Sequence, residues 1–149
     1  MTITNRETVR DALGTLLSAA LVGTGKPAQA FFGYMVGDFA GQSPVVVLTS
    51  AGTQQEQRQT TSRQKNGYFF TIFTFTLYAQ DGTTYGEDDV EDVVDLLEKT
   101  IRETLANNRS TVNWAFIEYD GRSVVDTTMI AGEEYRREAI PVRVDVYDN

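Results

Sequence analysis

Gly23-Thr24-Gly25-Lys26 is the stretch of this chain that comes nearest to a chemical motif. A phosphate-cradling loop needs a glycine five residues before the last one, a Ser or Thr after the lysine, a strand before it and a helix after it. Ala20 and Pro27 stand at the two required positions, so the spacing predicts a turn that ends a helix. Glu87, Asp88, Asp89, Glu91, Asp92 and Asp95 offer oxygen ligands of the kind that suit Ca²⁺ or Mg²⁺. The spacing of a calcium-binding loop is missing, and a helix would fan these side chains around its axis. They are expected to be a solvated helix start, where negative charge complements the dipole. A serine or threonine nucleophile needs a base and an orienting group. Without a Gly-x-Ser-x-Gly turn, none of the hydroxyls is singled out. Nor is any pair of carboxylates marked out for sugar hydrolysis. Trp114, Phe116 and Tyr119 could stack against a ligand, but Trp114 and Phe116 are expected to be core on one strand face. The residues thus predict no catalytic group, no bound cofactor and no metal.

Composition points the same way. The 149 residues include no cysteine and no histidine. That excludes disulfides, thiolate nucleophiles and zinc–cysteine sites, and removes the commonest general base at neutral pH. The length fits one domain with its own core. The net charge is −8, from 13 basic and 21 acidic residues, with no basic block. Tight binding to nucleic acid needs clustered Lys and Arg, so it is not expected. An acidic surface that nucleic acid passes without sticking is compatible with this charge. No run is long enough to cross a membrane as a helix. Arg6 and Arg10 before an apolar run, with Ala28-Gln29-Ala30 beyond it, imitate a secretory signal. Glu7, Asp11, Gly14, Thr15 and Ser18 interrupt that outline and favour an amphipathic helix.

The elements that position these residues follow from periodicity. Thr4 and Glu7 fit a capping box, and Val9, Leu13, Leu16, Leu17 and Ala20 recur at helical spacing, predicting a helix over 5–22. Residues 30–36 and 45–49 read as strands of a hairpin, joined by a Gly-rich turn ending at Pro44. Residues 52–67 contain no large apolar side chain and read as a polar loop, either mobile or a projecting hairpin that orders against a partner. Residues 68–80 form a long aromatic strand. Phe69, Phe73, Phe75 and Leu77 would face the helices; the other face is apolar at Phe70 and Ile72, then Thr74 and Thr76 precede Tyr78. A second helix is expected over 87–106, with Val90, Val93, Val94, Leu97, Ile101 and Leu105 inward. A strand follows around Trp114, and residues 124–130 are ambiguous between strand and loop. The last segment alternates at Ile140, Val142, Val144 and Val146, with Pro141 marking an edge strand or one-sided pairing. The mixed-charge run 133–138 before it reads as a solvated face. The order predicts one α+β domain over 1–149: a mixed or antiparallel sheet of about five strands with two helices packed on one face.

That layout resembles the tail terminator (tail completion) proteins of long-tailed bacteriophages. The likeness runs from the amphipathic first helix through the aromatic strand, the acidic-start helix ending at Asn107-Asn108, the Trp-containing strand and the closing Arg-Arg-Glu-Ala-Ile-Pro-Val-Arg-Val-Asp-Val-Tyr segment. The resemblance implies a non-enzymatic virion protein, assembled in the host cytoplasm and placed at the head-proximal end of the tail. It implies a homo-oligomeric ring, commonly a hexamer, that caps the tail tube, ends its polymerisation and receives the head connector or neck protein, while DNA passes through without specific binding. Neck and head–tail connector proteins of similar build are the alternative, and a small ligand-binding α+β domain is another. The resemblance assigns no site residues. On physical grounds Phe70, Ile72, Tyr78, Arg136 and Arg137 are expected at a subunit interface. Gln55, Arg58, Arg63 and Lys65 are expected on a tube-contacting loop, and Asp88, Asp89 and Asp92 at an acidic lumen.

Overall fold

The computed structural model of the chain describes residues 4–56, 68–80 and 87–146, with the side chains of Gln55, Glu56, Tyr68, Phe69, Glu87 and Asp88 left aside. The order of elements is α1 (Arg6–Leu21), β1 (Ala30–Phe32), β2 (Val45–Glu56), β3 (Tyr68–Gln80), α2 (Glu87–Asn107), β4 (Phe116–Tyr119), β5 (Val124–Ile130) and β6 (Glu133–Asp145). The fold is α+β, with both helices on one face of a six-stranded mixed sheet in the order β1-β2-β3-β6-β4, and β5 also paired to β6.

Helix α1 buries Val9, Leu13, Leu17 and Leu21, a strict four-residue spacing that makes one narrow apolar stripe. Its cap is Asn5 rather than the expected Thr4: the Asn5 side chain accepts from the Glu7 N–H at 2.8 Å. Gly25, at φ +76°, sits in the turn beyond the helix, where Lys26 N–H donates to the Gly23 carbonyl, so the Gly-Thr-Gly-Lys segment is a helix-ending turn. Helix α2 buries Val90, Val94, Leu97, Ile101 and Leu105 against the same core.

Strand β3 lies at the centre. Phe73, Phe75, Leu77 and Ala79 are fully buried beneath the helices, with Val46 and Leu48 of β2 and Ile140, Val142 and Val144 of β6 beside them. The alternation written in the sequence is therefore the alternation of the sheet. Strand β2 runs on to Glu56, seven residues past its expected end, paired with β3 back to Tyr68. Cross-strand pairing to Thr71 and Phe70 of β3 holds polar Thr53 and Gln54 in the ladder, which their composition did not indicate. One extra residue, Ala51, is accommodated at a bulge between Ser50 and Gly52, and Gly52 takes φ +131° there.

Two local expectations give way, and one reading left open is decided. Strands β1 and β2 are parallel, with Ala30 opposite Val45, and not a hairpin. The segment 33–44 instead crosses the second face of the sheet and drops Phe39 into it. Around Phe39 gather Ala30, Val45, Val47, Tyr78 and Tyr135, a second buried cluster opposite the helices. Residues 124–130 are a strand, which raises the count to six. The run 133–138 is the first half of β6, not a solvated lead-in, and its Tyr135 and Glu138 are buried. Pro141 is paired on one side, as its missing N–H requires: β5 takes β6 up to Ala139 and β4 takes it from Val142.

Candidate interaction surfaces

The residues expected at a subunit interface do not form one patch. Phe70 and Tyr78 share a face of β3 but are eight residues apart, roughly 26 Å along the strand. Tyr78 is enclosed by its own chain, its ring 4.9 Å from Phe39 and 6.2 Å from Tyr135. It is core, because segment 33–44 covers the face that the sequence left open. Phe70 is buried under Arg143, whose guanidinium carbon lies 3.7 Å from the ring centroid. Ile72 is half-buried on the same face, directly opposite Arg143 of β6.

Arg136 and Arg137 point to opposite faces, as neighbours on a strand must. Arg136 turns to the helix side and reaches Glu91 of α2 at 2.7 Å. Arg137 grips Asp126 of β5 with two bonds of 2.8 and 2.6 Å. That bidentate pair holds the Asp126 carboxyl below its ordinary pKa. Both arginines thus fasten β6 to its own neighbours. The sequence signal read as charge offered to another subunit is spent within the fold.

On the helix side, Tyr119 donates to Glu98 at 3.1 Å, and burial first, then the Glu98 charge, pushes its hydroxyl well up. Glu138 is buried nearby, and its carboxyl is raised, chiefly by burial; a hydrogen bond from Ser123 opposes this, while Glu98 and Asp95 add to it. A carboxyl raised in the folded state binds its proton more tightly there than in the unfolded chain. Its contribution to stability therefore falls as pH climbs from the ordinary carboxylate value through the raised one, and stays lower above it. Glu138→Gln is expected to stabilise the protein at neutral pH, with the gain vanishing below about pH 4. Urea unfolding at both pH values checks this; an equal gain at both would refute it.

Asp89, Asp92 and Asp95 are exposed on α2, while Glu91 is engaged by Arg136. Among the described residues, no three His, Cys, Asp or Glu side chains converge to hold a metal ion. The Asp88 side chain and the tube-contact residues Arg58, Arg63 and Lys65 lie outside the described residues, as does the Gln55 side chain. Trp114 is buried as expected, but Phe116 is not its partner in the core. Phe116 opens β4 on the other face, 38% exposed, with Arg109 5.6 Å from its ring centroid. Ile117 takes the inward place because Trp114 lies before the strand, where its own backbone turn breaks the alternation.

Two surfaces that sequence reasoning did not single out lie at the opposite ends of the sheet. Strand β5 pairs only with β6, so among the described residues its outer backbone edge is unpartnered. It exposes Val124 on one face and Val125 and Met129 on the other, the last two 44% and 63% exposed. No proline, glycine or lysine blunts this edge. The signal was there in Val-Val-Asp-Thr-Thr-Met-Ile, but only the topology makes it a border. At the other end, an open groove of about 720 Å³ runs between α1 and β1. Its walls are the flank of α1, from Arg10 to Val22, with Phe31 and Gly33 of the β1 end.

Compared with known protein families and with curated proteins, the chain matches none.

Proposed function

We propose that the chain is a structural subunit of a phage tail, a ring-forming terminator that caps the tail tube and presents a surface to the head connector. The observation that carries the assembly part is the β5 border: a seven-residue strand edge with apolar side chains exposed on both faces. Soluble chains usually shield such an edge, so its exposure favours a partner. The tail-specific part rests on the layout of the sequence described above.

The test is native mass by light scattering, measured alone and with tail-tube protein. The expected result is a closed oligomer, alone or on the tube end, and tubes that stop growing once it is added. A strict monomer at high concentration, also on tubes, would overturn the assembly reading. A closed oligomer that leaves tube growth unchanged would overturn the tail reading only.

A further inference from the structure

We infer that the β5 edge of one copy docks in the α1–β1 groove of the next, so that the sheets of neighbouring subunits run on edge to edge. This deepens the assembly reading above by naming its contact, and it does not depend on a tail.

Geometry supplies the first argument. Val125 and Met129 stand opposite Glu138 and Glu134 of β6, which puts them on the helix side of the sheet with Glu138 and its α2 neighbours. The groove lies on the same side at the other border, where α1 flanks β1. If β5 of a second copy lies along the side of β1 that no strand pairs among the described residues, its helix-side residues come against the outer flank of α1. That flank is small or short there, with Gly14, Thr15, Ser18 and Ala19, so it leaves room for a valine and a methionine. Part of the seven-residue β5 edge gains backbone hydrogen-bonding partners on the three-residue β1 in the same step.

Charge supplies the second. Residues 116–139, which build β4, β5 and the first half of β6, hold six Asp or Glu and three Arg. Residues 4–36, which build α1 and β1, hold Arg6, Arg10 and Lys26 against Glu7 and Asp11. A two-fold contact of β5 with β5 would bring two acidic borders together. The head-to-tail contact sets the acidic border against the slightly basic one. A contact between two different patches of one chain closes into a ring when its rotation allows.

The absence of cysteine in the chain makes the test clean. Met129→Cys and Ala19→Cys are prepared as separate full-length proteins, both at exposed positions, and oxidised mildly alone and mixed. The expected result is a cross-linked dimer in the mixture and none in either protein alone. A chain carrying both substitutions should give a ladder that stops at one covalent ring. Cross-linking of Met129→Cys with itself would overturn the proposal, and so would a mixture that stays monomeric on denaturing gels. A second variant, Val125→Lys with Met129→Lys, should keep its circular dichroism and lose self-association at least tenfold; unchanged association would also overturn it. A covalent ring that fails to stop tube growth would leave this contact in place and remove only the tail function.

Discussion

Replacing Trp114 by alanine is expected to cost about 3–5 kcal/mol of folding stability. Against a total of about 5–15 kcal/mol for a typical domain, that is enough to leave the chain marginal. Trp114 is among the largest fully buried side chains, at 1% exposure, and it packs into the core that α2 shares with β3 and β6. Its indole N–H also donates to the Asn108 carbonyl at 2.9 Å, just beyond the end of α2. Carbonyls at a helix C-terminus have no partner within the helix, so this bond satisfies a group that would otherwise be left unpaired. The backbone adds a tie of its own, from Thr111 N–H to the Trp114 carbonyl at 3.0 Å. Alanine keeps that backbone tie but loses the indole bond and leaves a cavity. Trp114→Phe separates the two losses: it retains most of the volume, and its cost should be nearer the roughly 1–2 kcal/mol of the lost bond and imperfect fit. Because Trp114 is the sole tryptophan, urea unfolding must be followed by circular dichroism. A loss below about 1 kcal/mol for the alanine variant would contradict this account of the α2–β4 corner.

Phe39→Ala should be comparably damaging, about 3–5 kcal/mol, for a different reason. Phe39 comes from an irregular segment, yet it is 1% exposed and its ring lies 4.9 Å from Tyr78 and 5.4 Å from Tyr135, nearly perpendicular to the latter. It pins residues 33–44 over the second face of the sheet. Without it Val45, Val47, Tyr78 and Tyr135 would be uncovered, an apolar patch that promotes unspecific association. The Tyr135 hydroxyl is raised, first by burial and then by the charges of Glu133 and Asp38. Opening the segment should therefore let Tyr135 ionise at lower pH, visible in the ultraviolet absorbance of tyrosinate. Denaturant unfolding measures the energetic part. An unchanged tyrosine titration together with an unchanged midpoint would show that Phe39 does not hold the segment down.

These two residues mark where sequence reading succeeded and where it stopped. Trp114 was legible as core because a large aromatic side chain in a short apolar stretch seldom stays exposed. Phe116 was misplaced beside it because alternation was counted through residues that are not yet strand. Phe39 carried no periodic signal at all: it stands between glycines and polar residues, and its burial depends on where β1 and β6 lie relative to each other. Three of the interface candidates, Tyr78, Arg136 and Arg137, are engaged within the fold for a related reason. Tyr78 was assigned to an open face that segment 33–44 turns out to cover. Arg136 and Arg137 were grouped by sequence adjacency, although a strand sends them to opposite sides, each to a carboxylate far along the chain. The tube-contact side chains and that of Asp88 fall outside the described residues, and Asp89 and Asp92 are exposed.

Local chemistry dictated the class of this fold. The four-residue stripe of α1, the inward row of α2 and the two-residue alternation of β3 and β6 are properties of consecutive residues, so each element and its buried face could be read from the chain. Lack of cysteine and histidine, with the acidic balance, likewise narrowed the chemistry without any coordinates. Strand order, the parallel pairing of β1 with β2 and the continuation of β2 through polar residues depend on contacts between distant segments. Those contacts are chosen by the joint packing of all the elements, and no local pattern records them. The same holds for the proposed contact: Val125 and Met129 are unexceptional in sequence and become a candidate docking edge only because β5 borders the sheet at the end opposite the α1–β1 groove.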